Sequence, residues 1–479
     1  MKSTSSLAPA VSSTHISYLF FVDDRVYKVK RPVAFPFLDL STVEKRREIC
    51  EREVRLNRRL APDVYLGVGR FVGPDTDEPV VVMRRLPGDR RLSRLVGTAE
   101  AVGAVRSIAH RLAAFHSVAQ SSSEIDEGGS QHAIRERWSA NLDETSRFVG
   151  RPLTARRHDV IRSLATRYAD GREALFSSRI AQGHIRDAHG DVLADDIFCL
   201  EDGPRILDCL EFDDSLRHID VIEDCASLAT DLERLGRPDL ADRFLEDYKE
   251  FTNDRPPASL VHYYRAYRAL VRAKVACLRE EQGDLDSRQQ AQHLFALCEN
   301  HLTRATVNLV IVGGLPGTGK TTIADALGEE RGWAVLSTDR IRKELTGAPL
   351  AATEQTYGTG IYAPKFTKAT YEELSHRAER LLTTGVSVVL DASWSDPRWR
   401  KRARDLAAST SSDLTEIRCT APVQVAVARI ATRSADPRNL SDATEEIARR
   451  MAIAFAPWPE ATTIDTTDPH RSVSHRTAS

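Results

Sequence analysis

Near the start of the chain, apolar and polar positions alternate with a period of two. Ile16 to Val22 reads as a strand, Asp23-Asp24 as a turn and Val26 to Lys30 as a second strand, which predicts a hairpin with Lys28 and Lys30 on one face. Two prolines make the stretch from Pro32 to Leu38 extended. Ser41 to Glu44 has the form of a capping box and opens a helix predicted over about residues 42–60, whose acidic members include Glu53. Val80–Met83 reads as a strand, 99–118 as an amphipathic helix and 120–132 as a polar loop, with helical patterns continuing to about residue 178. Arg205–Phe212 is strand-like. Helical periodicity then fills 219–249, broken at Gly236-Arg237-Pro238, and returns over 259–278 and 287–303.

Beyond residue 306 the pattern changes. Val307–Val312 is a short continuous apolar run, as buried parallel strands have, and a helical pattern over 321–330 follows it. Trp333–Ser337 and Val386–Asp391 read as further strands, 346–363 as a loop or lid, and Val423–Arg433 as the last helix. The polar ends, 1–15 and 466–479, are predicted to be disordered. This divides the chain into a first domain over 16–303 and a second over 306–465.

Composition narrows the class. A chain of 479 residues is too long for one ordinary domain. The formal charge of −2, with no long run of one sign, predicts neither a nucleic-acid tail nor a membrane-surface patch. Seven cysteines stand singly with no C-x-x-C pair, so reduced buried thiols are expected in a cytoplasmic protein. No signal pattern or membrane-spanning run is apparent.

The strongest chemical signal lies between the predicted strand at 307–312 and the helix that follows. Gly313 to Thr322 fits G-x-x-x-x-G-K-[ST] in a strand–loop–helix context, the form of a phosphate-binding loop. Glycines let successive backbone N–H groups face phosphate oxygens, and the helix N-terminus adds partial positive charge. Gly314, Gly317, Gly319, Lys320, Thr321 and Thr322 are therefore nucleotide-binding candidates, with Lys320 on the β- and γ-phosphates and Thr321 on Mg²⁺. Asp339 follows a strand beside this loop. It is a candidate base for an acceptor hydroxyl, with Arg342 a substrate contact, and it also suits the N-terminus of the next helix. Asp391 ends an apolar strand in the Walker B manner and joins Thr321 as a metal candidate. Trp394 and Arg398 would border the acceptor pocket. Arg429 and Arg433 lie four apart on one helix face, which fits either a phosphate-binding lid or a salt-bridged surface.

A second chemical cluster lies in the first domain. Asp191 and Asp196 are separated by five residues, and Asp208 comes after an intervening hairpin. Kinase chemistry uses one carboxylate to orient the acceptor hydroxyl and further oxygen ligands for Mg²⁺. A metal cluster of His184, Asp187 and His189 is a competing reading of the same segment.

His189-Gly190-Asp191, with Asp196 and Asp208, resembles the catalytic core of aminoglycoside phosphotransferase-like kinases. Tyr27–Pro32 through Glu53–Asn57 resembles the first lobe of a branch in which that domain is fused to a P-loop domain. The resemblance covers nearly the whole chain. It implies a bilobal protein kinase-like domain followed by an α/β P-loop domain with a parallel sheet. It also implies that Lys28 contacts the α/β-phosphates and Glu53 positions it, with Asp191 as base and Asp196 and Asp208 as Mg²⁺ ligands. Arg217, Asp220 and Asp224 match a pattern that braces the catalytic loop. The chain departs from the family in carrying Asp196 where Asn is usual, and in lacking a glycine-rich loop between its first strands. The order of motifs after the P-loop resembles gluconate kinase-like, polynucleotide kinase-like and zeta toxin-like kinases more than a motor ATPase.

Together these features predict an ATP- and Mg²⁺-dependent phosphotransferase acting on a hydroxyl of a small polar molecule. The alternative is a nucleotide-dependent regulatory protein. The sequence leaves the acceptor and the oligomeric state open.

Overall fold

The computed structural model describes residues 10–14, 16–35, 38–72, 77–347, 363–433 and 444–467. The chain forms two compact units. The first comprises the chain up to Arg162, Phe176–Pro256 and Val261–Leu302. The second comprises Ser163–Leu175, Pro257–Leu260 and the chain from Thr303 onward.

The first unit begins with a five-stranded antiparallel sheet. Its strands run in the order Ala10–Ser13, Ser17–Val22, Arg25–Lys30, Asp77–Arg84 and Tyr65–Val72. In Arg25–Lys30 the pleat buries every second residue, so Val26, Lys28 and Lys30 all point inward. The helix Val43–Asn57 lies against this sheet and contributes Cys50 and Val54 to a core with Val26, Val81 and Met83. The rest of the unit is mainly helical. Its central helix, Val221–Arg234, is buried from Val221 to Leu232. Phe198 and Leu207, from the segment carrying the acidic cluster, pack into the core of the first sheet.

Some predicted boundaries shift for local reasons. The first helix is capped one residue later than the capping-box reading, because Thr42 rather than Ser41 accepts the Lys45 N–H. The stretch 120–132 is not a continuous loop: Ser122 and Ser130 act as N-caps for helices starting at Ser123 and Gln131. Ala10–Ser13, within the end predicted to be disordered, forms an edge strand. The strand predicted over Arg205–Phe212 is Gly203–Ile206 and stops before Asp208, whose φ of 65° departs from strand geometry.

The second unit contains a five-stranded sheet in the order Ala334–Ser337, Val388–Asp391, Asn308–Gly313, Asp413–Thr420 and Thr462–Asp465, with every pairing parallel. Asn308–Gly313 is central and nearly all buried, which explains its unbroken apolar run. Register sets the site: Asp391 lies opposite Val312 on one side and Ser337 on the other. The P-loop, Asp391 and the start of the helix carrying Asp339 therefore share one edge, at the carboxyl ends of the strands.

All seven cysteines are buried and unpaired. Among the described residues, no helix is long and apolar enough to cross a membrane.

Candidate nucleotide and acceptor sites

In the first unit, the inward-facing lysines meet one buried glutamate. Lys28 Nζ donates to Glu53 Oε1 at 2.8 Å, and Lys30 Nζ stands 2.7 Å from Glu53 Oε2. Lys28 also donates to Asp208 Oδ1 (2.9 Å) and Lys30 to Glu211 Oε1 (2.7 Å). The result is one alternating ladder, Asp208–Lys28–Glu53–Lys30–Glu211. Burial disfavours the charges on Lys28 and Glu53, but their pairing outweighs it and holds Lys28 above and Glu53 below their usual ranges. Asp208 is held at about 2 by the neighbouring Lys28 ammonium. Asp196 moves the other way: burial, followed by the carboxylates of Asp208 and Asp191, pushes it well above the carboxylate range. Carboxylates that resist sharing a site as anions form a donor set suited to a divalent cation.

The loop carrying Asp191 is braced from the central helix. Asp224 accepts the backbone N–H groups of His189 (3.0 Å) and Gly190 (2.8 Å) and faces His116 Nε2 at 3.0 Å. Burial works against the Asp224 charge, yet the His116 hydrogen bond and nearby imidazoles hold it far below the usual carboxylate range. Arg217 donates to Asp187 Oδ1 and the Leu210 carbonyl, while Asp220 pairs with Arg179 and caps the central helix. Asp191 lies on the exposed side of this frame, with Ser227 Oγ donating to it at 3.4 Å and Arg272 3.6 Å away.

The competing histidine reading does not hold. His189 is fully buried against the Leu207 carbonyl, Asp187 is taken by Arg217, and His184 faces Asp254 at 3.7 Å. No group of three metal-ligating side chains forms among the described residues. A cation at Asp196 and Asp208 would therefore complete its shell with phosphate oxygens and water, as Mg²⁺ commonly does.

In the second unit the P-loop is tightly backed. Gly314, Gly317 and Gly319 all have positive φ. A Cβ at Gly314 would lie 2.5 Å from the Cys419 carbonyl oxygen, and one at Gly317 would lie 2.4 Å from that of Ala426. Gly319 leads into the helix Lys320–Arg331 with no side-chain cap, so its first N–H groups are available to an anion. Thr321 Oγ1 donates to Asp391 Oδ2 at 2.7 Å, and Thr321 and Thr322 are exposed. Asp391 Oδ1 is buried with no hydrogen-bond partner. Burial, opposed by Lys320 and Thr321, raises the Asp391 pKa. An orphaned buried oxygen beside a P-loop threonine fits the second shell of a bound Mg²⁺.

Lys320, Gly314 and Asp339 open onto a cavity of about 1020 Å³. Asp339 stands in the first turn after Ser337 and accepts from Arg342 Nη1 at 2.9 Å. Arg398 lines the cavity, as the sequence predicts. Trp394 does not: it is 2% exposed and packs edge-on against Tyr371. Its place is taken by Trp399, stacked on Tyr371 at 4.8 Å, a pair set by helix packing that local sequence patterns do not reveal. Arg429 ties the P-loop to the end of the last strand. It donates to Thr466 Oγ1 (2.9 Å), and Thr466 Oγ1 donates to the Thr318 carbonyl (2.9 Å). Thr466 is thus anchored although the sequence places it in a disordered tail. The Arg433 side chain and most of the predicted 346–363 lid lie outside the described residues.

The profile of the AAA domain family matches residues 309–458. Uncharacterized protein Rv2004c of Mycobacterium tuberculosis is 43% identical over 471 residues, covering 97% of this chain and 93% of the relative. Uncharacterized protein Mb2027c of Mycobacterium bovis matches equally. The chain belongs to their family. Solved structures with detectable similarity include a choline/ethanolamine kinase family protein from Mesorhizobium loti, at 16% identity and TM-score 0.39, covering 64% of this chain and 94% of that one. A gluconokinase from Sinorhizobium meliloti 1021 is 19% identical with TM-score 0.24, covering 34% of this chain and 84% of that one. The AAA domain match falls within the second unit, the one that carries the P-loop.

Proposed function

We propose that this protein is an ATP- and Mg²⁺-dependent phosphotransferase that acts on a hydroxyl of a small polar molecule, with a nucleotide site in each unit. The observation that carries this reading is in the second unit. Lys320, the Thr321–Asp391 pair and Asp339 all stand at one sheet edge, and Lys320 and Asp339 open onto the same cavity. The P-loop amides and Lys320 hold the triphosphate. Thr321 and Asp391 would hold Mg²⁺, which neutralises charge on the transferring group. Asp339, fixed by Arg342, orients the acceptor hydroxyl and takes its proton. The acceptor oxygen bonds to the γ-phosphorus, the bond to the β,γ-bridging oxygen breaks, and ADP leaves. Little covalent work falls to the protein, and positioning supplies most of the rate.

The first unit supports the same class of chemistry. Lys28 is set for nucleotide phosphates, Glu53 positions it, Asp196 and Asp208 would hold the metal, and Asp191 orients a hydroxyl. The test is ATP consumption measured across an acceptor panel. Acceptor-stimulated turnover that falls at least 100-fold in Asp339→Ala or Asp191→Ala supports the reading and names the working unit. Turnover that no acceptor accelerates and that survives both substitutions would overturn it in favour of a nucleotide-dependent switch.

A further inference from the structure

The cavity beside the P-loop has a polarity that the nucleotide does not explain. Lys320 is assigned to phosphate, and Asp339 and Arg342 pair with each other. Four more cationic side chains line the cavity: Lys368, Arg398, Lys401 and Arg402. Among the described residues only two further carboxylates line it, Asp396 and Asp405. Three of the cations come from one helix, Pro397–Ser409, at spacings of three and four that place them on one face. The opposite face of that helix buries Ala403, Leu406 and Ala407.

The two carboxylates do not neutralise this face. Asp396 is engaged by Arg398, to which it accepts from Nη2 at 2.7 Å, and Asp405 by Lys401 at 2.7 Å. Both cations are largely exposed, the Arg398 side chain 85% and that of Lys401 74%, so either can leave its carboxylate at little cost while Asp396 stays in place as the cap of its helix. Lys368 has Glu372 at 3.9 Å, but that glutamate does not line the cavity. Arg402 Nε donates to the neutral Ser375 Oγ, and no carboxylate among the described residues pairs with it. Another part of the wall is apolar, formed by Trp399 on Tyr371 and by Ile447 and Met451, with Thr338, Thr367, Ser393 and Ser395 supplying hydroxyls elsewhere. A cavity with surplus positive charge on one wall and an aromatic, aliphatic surface on another selects an anion that also carries a carbon skeleton.

We infer that the acceptor of the second unit is a small anionic alcohol, a hydroxylated molecule bearing a carboxylate, phosphate or sulfate group that docks on Arg398 and Arg402. This rests on the phosphotransferase reading and narrows it. The same wall disfavours cationic acceptors such as polyamino sugars.

The test is binding to the full-length chain whose nucleotide sites are saturated with Mg²⁺ and a non-hydrolysable ATP analogue, so that added anions do not report on the P-loop. The probes are gluconate, glucose 6-phosphate and adenosine 5′-monophosphate, set against glucose, adenosine and an aminoglycoside. Calorimetry is expected to show binding of at least one anion, at least tenfold tighter than its neutral counterpart. That binding is expected to weaken at least tenfold in Arg398→Gln/Arg402→Gln, while affinity for the ATP analogue stays within twofold. Both residues are exposed, so the variant is expected to fold, and the retained nucleotide affinity checks this. Absence of anion binding, equal binding of the neutral compounds, or indifference to the double substitution would each overturn the inference. An anion that binds on this face but is not phosphorylated with ATP leaves the recognition standing and sinks the phosphotransferase reading instead.

Discussion

The two candidate nucleotide sites of this chain are built in opposite ways. In the first unit the groups meant for nucleotide and metal are paired with one another: Asp208 holds Lys28, Glu53 bridges two lysines, and Lys30 ends on Glu211. In the second unit they are left open, with exposed threonines at the loop and an unpartnered oxygen on Asp391. On the proposed reading, a ligand entering the first site would exchange partners with an internal ion pair, since Asp208 would leave Lys28 to reach a metal. At the second site Asp391 Oδ1 is already free, while Asp391 Oδ2 accepts from Thr321. On that difference the second site is expected to bind nucleotide more tightly than the first.

That contrast can be broken most directly by Lys320→Ala. Calorimetry with Mg²⁺ and ATP is expected to show at least a 100-fold loss at the tighter site, leaving a weaker site that Asp208→Ala removes. A single class of sites lost with Lys320 would erase the contrast. Next in size is Glu53→Ala, which leaves two buried ammonium groups without their shared partner. It should cost about 3–5 kcal/mol of first-unit stability, read as a shifted denaturation midpoint. Asp391→Asn is expected to leave the melting temperature nearly unchanged while raising the Mg²⁺ requirement for nucleotide binding about tenfold, an asymmetry with Glu53→Ala that follows from Glu53 holding two buried ammonium groups while Asp391 holds only a threonine hydroxyl.

A smaller effect concerns acid stability. Asp224 is held below the carboxylate range in the folded chain, so its contribution is present above the unfolded value of about 3.9 and is lost as pH falls toward the folded one. Wild type should therefore lose first-unit stability below about pH 4 more steeply than Asp224→Asn, which is less stable by about 1–3 kcal/mol at neutral pH. Parallel slopes in denaturant titrations across that range would contradict the assignment.

Local pattern revealed what depends on local pattern. The P-loop lies in a strand–glycine–helix context, and each piece has its own signature. Lys28 and Lys30 were legible as one strand face because the pleat has a period of two. Asp391 was legible because a buried parallel strand is a continuous apolar run with a conspicuous end. The rest depended on contacts between distant segments. Nothing near Lys30 announces Glu211, since the pair closes only when the acidic segment returns under the first sheet. Trp394 and Trp399 look alike in sequence, and only the packing of Tyr371 decides which is buried and which lines the cavity. The serines at 122 and 130 read as loop because a cap and a loop use the same residues.

The glycines of the P-loop have a consequence for genetics. What a methyl group at Gly317 would strike is the Ala426 carbonyl, which is main chain and present whatever residue occupies position 426. Gly314 faces the Cys419 carbonyl in the same way, at a φ of 146°. A clash with a side chain can be relieved by shortening that side chain, whereas a clash with a peptide group offers no such remedy. Revertants of Gly317→Ala should therefore restore glycine itself, and a search for compensating changes among its neighbours should return none.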